Sequence, residues 1–366
     1  MESSRPEDRA CDRCLARSRL LSELGGHLDR AGRDAPELLG LPDDELVAAL
    51  APRRRAQFEE RLRRLELEPL RARARGARLG LVCRCDREYP AQLRALDAPP
   101  AVLHVAGALR RALRLLTGEA VAIVGARRAS AYGLEVARSL GRDLAAVGIT
   151  VISGMALGVD SAAHAGALAA GGPTVAVLPG GPDRPYPASR RALYDRIGAA
   201  GAVISELPAG TTVRRWAPPA RNRIIAALAT ITVVVEAGPS SGALITASWA
   251  GRLGRPVGAL PGRVTSELAA GPNGLIRTGE AFLIERAQDV LDELYGRGIV
   301  RALERSRPPL RDELARLLGA VGAGHDTPSA LAGQGFAADR LLAALSELEL
   351  SGYVKRGPGG RFEALP

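Results

Sequence analysis

VAIVGARRASAYG (Val121–Gly133) and, one helix later, ITVISGMALGVDSAAHAGALAA (Ile149–Ala170) decide the fold of this 366-residue chain. Val121–Val124 is a short apolar run, long enough for a buried strand and too short for a helix. Gly125 ends it, and the spacing of apolar residues predicts a helix over Gly133–Ala146. The pattern repeats with Thr150–Ile152 as strand, Ser153–Gly154 as turn and a following helix that Asp160 is placed to cap. Two strand–turn–helix units in series give parallel strands with right-handed crossovers, so both turns share the carboxyl edge of one sheet. Open α/β sheets bind ligands at that edge. Gly125, Arg127, Ser153 and Gly154 should then face one another across a single crevice. Free N–H groups at the helix starts, with Arg127 beside them, would make it an anion site. The alternative is that these glycines are ordinary turn residues.

Outward from this core, further strands are expected at Val102–Val105, Thr174–Leu178, Ala202–Ser205, Ile231–Glu236, Pro256–Leu260 and Phe282–Ile284. Helices or loops separate them, which makes the fold α/β, an extended Rossmann-like, doubly wound parallel sheet over residues 89–296. Residues 1–88 read as an arginine-rich helical domain, with Arg53–Arg78 alternating in charge as a solvated helix does. Residues 297–309 form a basic, proline-ended linker. Residues 310–366 carry helices at Leu310–Leu318 and Ala337–Leu350 and a closing hairpin turned at Pro358–Gly360, the pattern of a small winged-helix-like domain.

All four cysteines fall in the first 88 residues, as Cys11-x-x-Cys14 and Cys83-x-Cys85. Close pairs suggest a metal more than a disulfide in a cytoplasmic protein, so Cys11, Cys14, Cys83 and Cys85 are either the ligands of a structural zinc or reduced, inert thiols. No other cofactor is indicated. With 46% hydrophobic and 25% charged residues the chain has the composition of a soluble globular protein. It has no apolar run of membrane-spanning length, and the charged start MESSRPEDRA is not a secretory signal, so a cytoplasmic location with no membrane partner is expected. A net charge of +10 suits a polyanionic partner, although Lys355 is the only lysine and an arginine bias of this kind also follows from nucleotide composition.

Two further stretches bear on the crevice. SSGALITA puts Ser241 and Gly242 directly before a helix containing Thr246, leaving N–H groups free for a phosphate. Arg221 and Arg223 flank Asn222; guanidinium forks suit phosphate oxygens, unless Asn222 caps a helix there and both arginines are solvated. Glu236 either holds Arg127 or Arg223 or simply ends its strand. His164 reads as a packed histidine, and with no nucleophile near it in sequence, catalysis is not expected. Aromatic residues make up 3% of the chain, so stacking platforms for bases are few; Tyr132, Tyr186 and Trp216 are the candidates.

The series VGARRASAYG, SGMALGVDSAAH, VAVLPGGPDRPYP, ARNRIIAALA, VVVEAGPSSGALITA, ALPG and GPNGLIRTGEAFL, in this order, resembles DNA-processing protein A, the DprA/Smf family. The resemblance covers roughly Tyr89–Leu294 and extends to the winged-helix tail. It implies a Rossmann-like domain that binds single-stranded DNA, a homodimer formed through that domain, and loading of a RecA-type recombinase in natural transformation, without catalysis. Position by position it implies DNA contacts from Gly125, Arg127 and Arg128, from Ser153, Gly154 and Gly158, from Arg221, Asn222 and Arg223, and from Ser241, Gly242 and Thr246. This chain departs from the pattern at Ala126, where serine is usual, at Pro218, where an aromatic is usual, and at Ala227 and Ala229. Two readings of other classes stay open. One is a nucleotide-cleaving hydrolase of the lysine-decarboxylase-like Rossmann group, suggested by Pro179-Gly180-Gly181; the loop that follows, PDRPYP, does not continue that motif. The other is a winged-helix transcription regulator, whose recognition helix would carry Asp339, Glu347 and Glu349 against one Arg340, a poor match to phosphate.

Overall fold

A computed structural model describes residues 7–32, 35–298 and 310–365. The described residues form two compact units, 7–298 and 310–365. The linker expected at 297–309 lies, from residue 299 on, outside the described residues.

The large unit is built on strands β1 (Asp8–Arg9), β2 (Leu79–Cys83), β3 (Val102–Ala106), β4 (Ala120–Val124), β5 (Thr150–Ser153), β6 (Thr174–Val177), β7 (Ala202–Ser205), β8 (Ile231–Val234), β9 (Val257–Ala259) and β10 (Phe282–Leu283). They form one sheet in the order β1-β2-β3-β7-β6-β5-β4-β8-β9-β10. From β7 to β10 every pairing is parallel, whereas β3 runs antiparallel to both β2 and β7. The central strands are buried from end to end, as parallel strands covered on both faces must be. Alternate residues of β4 show why. Val121 and Ile123 pack under the Ala131–Ala146 and Val159–Ala169 helices, and Ala122 and Val124 pack under the Ala217–Leu228 and Gly242–Arg252 helices. The sheet is therefore doubly wound, and the strand order reverses at β4, with β5 on one side and β8 on the other.

The helical reading of residues 1–88 misses two strands. β1 and β2 extend this same sheet, so residue 88 falls between two paired strands, β2 and β3. The remainder of that segment is helical, led by the Asp12–Glu23 helix, and its leucines pack with Trp216, Ala217 and Ala220 from the Ala217–Leu228 helix and the residue before it. Among the described residues no helix is long and apolar enough to cross a membrane.

The small C-terminal unit has the expected helices at Asp312–Gly322 and Ala338–Leu350, a short Pro328–Ala332 helix between them that the sequence pattern did not show, and a hairpin of β11 (Val354–Arg356) and β12 (Phe362–Ala364). Leu317, Leu331, Leu345, Leu348 and Phe362 close its own core.

Candidate nucleic-acid interface

The carboxyl ends of β4 and its neighbours open into a crevice of about 260 Å³. Gly125 and Arg127 line it from the turn after β4, Ala156 and Asp160 from the β5 side, and Ser241, Gly242 and Thr246 from the start of the Gly242–Arg252 helix. Pro218, Arg221 and Asn222 of the Ala217–Leu228 helix form the opposite wall.

That wall is where the structure departs most from the sequence reading. The Arg-Asn-Arg triplet is not at a helix start but in mid-helix, because Pro218 and Pro219 already occupy the first turn. Successive helical residues point about 100° apart, and the three side chains go to three places. Arg221 is buried, and its guanidinium donates to the carbonyls of Gly154 (2.7 Å) and Val177 (2.5 Å), lacing the ends of β5 and β6. Asn222 donates to the carbonyl of Gly242 at 3.0 Å and so ties this helix to the next. Arg223 turns away from the crevice. It is 1% exposed, pairs with Glu206 at 2.7 Å and donates to the carbonyls of Ala98 and Ala220.

Asp160 does not cap its helix. The cap position is Gly158, with φ +80°, which an L side chain rarely adopts, and a Cβ there would meet the Ala126 carbonyl at 2.1 Å. The Asp160 carboxylate instead accepts the N–H groups of Gly154 (3.1 Å) and Ala156 (3.3 Å) and faces Arg221 across the floor. Burial pushes the Asp160 carboxyl up, with Arg221 acting against that shift. Burial also draws Arg221 down, to about 10, despite Asp160, which leaves it a cation at neutral pH. The Arg221 charge is taken up inside the wall by the Gly154 and Val177 carbonyls, with the Asp160 carboxyl facing it. The net positive charge at the mouth belongs to exposed Arg127, which pairs with no carboxylate among the described residues. The Gly242–Arg252 helix adds roughly half a positive charge at its N-terminus, where Ser241 accepts the Ala243 N–H and Gly242 stands exposed.

The other expected contacts are placed as follows. Ser153 is fully buried and donates to the Ile123 carbonyl at 2.6 Å, bracing β5 against β4 rather than facing the crevice. Gly154 supplies the carbonyl that holds Arg221, and a Cβ there would strike the guanidinium at 2.3 Å. Arg128 is exposed beside Arg127 but does not line the crevice. Glu236 holds neither arginine. It accepts the N–H (2.9 Å) and hydroxyl (2.6 Å) of Ser130, the residue that caps the Ala131–Ala146 helix. His164 is buried against Thr174 at 2.7 Å, with burial lowering its pKa to about 3, so it is the packed histidine expected. Of the aromatic candidates, Trp216 is buried, and Tyr132 and Tyr186 are exposed but outside the crevice lining. Cys11, Cys14, Cys83 and Cys85, far apart in sequence, are brought together, with their sulfurs all within 4.8 Å of one another.

The family described as DNA recombination-mediator protein A matches residues 80–295, and the DprA winged helix domain matches residues 301–360. The chain belongs to the DNA recombination-mediator protein A family. It is 41% identical over 271 residues to a protein named putative DNA processing protein DprA from Mycobacterium tuberculosis, covering 72% of this chain and 69% of that one. It is 34% identical over 265 residues to DNA processing protein DprA of Bacillus subtilis, covering 72% and 86%. Among solved structures it is similar to DNA processing protein A from Streptococcus pneumoniae, with a TM-score of 0.62, 34% identity, and 77% and 96% of the two chains covered. It is also similar to the Helicobacter pylori protein, solved for its single-stranded DNA binding mode, with a TM-score of 0.52, 30% identity, and 56% and 92% covered. Of the two main departures from the DprA/Smf pattern, Pro218 lines the crevice, while Ala126 is buried with its N–H on the Glu236 carbonyl at 2.6 Å. Pro218 is therefore the departure that alters the crevice wall.

Proposed function

We propose that this DNA recombination mediator binds single-stranded DNA in the crevice at the end of β4, shields it, and loads a RecA-type recombinase onto it in natural transformation, acting in the cytoplasm as a homodimer and without catalysis. The observation that carries the reading is the pairing of an exposed Arg127, which has no carboxylate partner among the described residues, with the open start of the Gly242–Arg252 helix. A phosphodiester there meets oriented N–H groups and one fixed cation, none of which reads a base, so binding is nearly sequence-independent and weakened by salt. Phosphate contacts are assigned to Gly125, Arg127, Ser241, Gly242 and Thr246, with Arg128 flanking; Arg221 and Asn222 set the shape of the wall. Support for a dimer through this unit comes from the family and from apolar side chains left open in its later part, Val264 (94% exposed) and Leu283 (47%).

Binding of fluorescent oligonucleotides of equal length, single- and double-stranded, over a salt series tests the reading. Single strands should bind more tightly, because a crevice needs a backbone that bends and splays its bases. Equal affinity for both forms would end it.

A further inference from the structure

The four cysteines form a cluster that DNA binding does not use. Cys11 sits at the cap of the Asp12–Glu23 helix and Cys14 one turn into it; Cys83 ends β2 and Cys85 follows two residues on. Helix start and strand end thus deliver two sulfurs each to one point. The Cys14 and Cys85 sulfurs are 3.7 Å apart. That is far beyond the ~2.05 Å of a disulfide. It is close to the edge of a sulfur tetrahedron around zinc, about 3.8 Å from Zn–S bonds of ~2.3 Å. Cys83 Sγ accepts the N–H of Cys11 at 3.4 Å, the kind of backbone bond that orients a metal-bound thiolate. Cys14 and Cys83 are buried and Cys11 and Cys85 are exposed, which gives the ion a way in from solvent.

We propose that Cys11, Cys14, Cys83 and Cys85 hold one structural zinc ion through four sulfurs. Four protein ligands leave no open position, so the ion supports structure and performs no chemistry. As it binds, the thiols release their protons to solvent and no electrons move. The ion would fasten the N-terminal segment, with β1, to the end of β2. In the strand order, β3, β7, β6 and β5 separate this point from β4, so the crevice does not depend on the metal.

Elemental analysis of the full chain, purified reduced and without chelator, should find about one zinc per chain. The exposed-site variant Cys85→Ser and the buried-site variant Cys14→Ser should each lose it. Refilling the protein with cobalt(II) should give thiolate-to-metal charge-transfer absorption and the visible bands of tetrahedral cobalt. Chelation should lower the melting temperature while leaving oligonucleotide affinity unchanged. Zinc far below one per chain after refilling, a cobalt spectrum without thiolate bands, or cysteines recovered as disulfides would each overturn the proposal. None of these three overturning outcomes depends on DNA binding.

Discussion

On one side of the Ala217–Leu228 helix Arg221 faces a crevice, and on the other Arg223 faces the interior, two residues away. Both guanidiniums are buried and both have a carboxylate within reach, Asp160 and Glu206. The interior side is closed: Arg223 and Glu206 pair directly and backbone carbonyls take further donors. The crevice side is left open, since Asp160 spends its hydrogen bonds on backbone N–H groups and Arg127 nearby pairs with no carboxylate among the described residues. Burial of charge is common to both sides, so it does not mark a binding site by itself. What sets the crevice side apart is an exposed cation, Arg127, that pairs with no carboxylate among the described residues.

The contrast can be broken by experiment. The largest effect is expected for Arg223→Ala, which strands Glu206 in the interior and should cost about 3–5 kcal/mol of stability in chemical denaturation. A loss below about 1 kcal/mol would show that the pair adds little.

Acidification probes both sides at once. Burial holds His164, near the crevice, and His104, on β3, at a pKa of about 3, against an ordinary 6.5. Above pH 6.5 neither costs anything. Below it the unfolded chain binds protons that the folded chain refuses until about pH 3, so stability falls with pH through that window. The loss is about 2 kcal/mol per histidine by pH 5, at roughly 1.4 per pH unit. Asp160, raised by burial, works in the other direction. Urea denaturation at pH 7 and pH 5 reads the difference, and His164→Asn should remove about half of it.

Arg127→Ala sharpens the contrast from the open side. It should leave stability alone, weaken single-stranded DNA binding by about 1–3 kcal/mol and lower the salt slope by about one phosphate. Arg53→Ala, also exposed, should change binding by less than ~0.5 kcal/mol. Equal effects from the two would make binding a matter of overall charge and not of the crevice.

The strands from Val121 to Leu283 were legible because buried parallel strands are short, uniformly apolar and punctuated by glycine. β1 and β2 were not: one is two residues long, and the other follows arginine-rich helices whose periodicity dominates the segment. The crevice was legible where backbone determines it, at Gly125, Arg127, Ser241 and Gly242. It was not where long side chains choose among partners. Nothing in the spacing links Arg223 to Glu206. The alternative that Asn222 caps a helix fails because Pro218-Pro219 already signals the helix start just before it. Asp160 reads as a cap in the sequence because a glycine does not by itself show whether its φ is positive, as it is at Gly158.

β10 closes one margin of the sheet with two residues, Phe282 and Leu283. So short a strand exposes almost no free backbone ladder, and another chain pairing there would gain few hydrogen bonds. The margin is poor template for runaway stacking of copies into fibres. A homodimer that joined at this end would rest on side-chain packing around the exposed Leu283, a joint that a single charged substitution there should open without unfolding either copy.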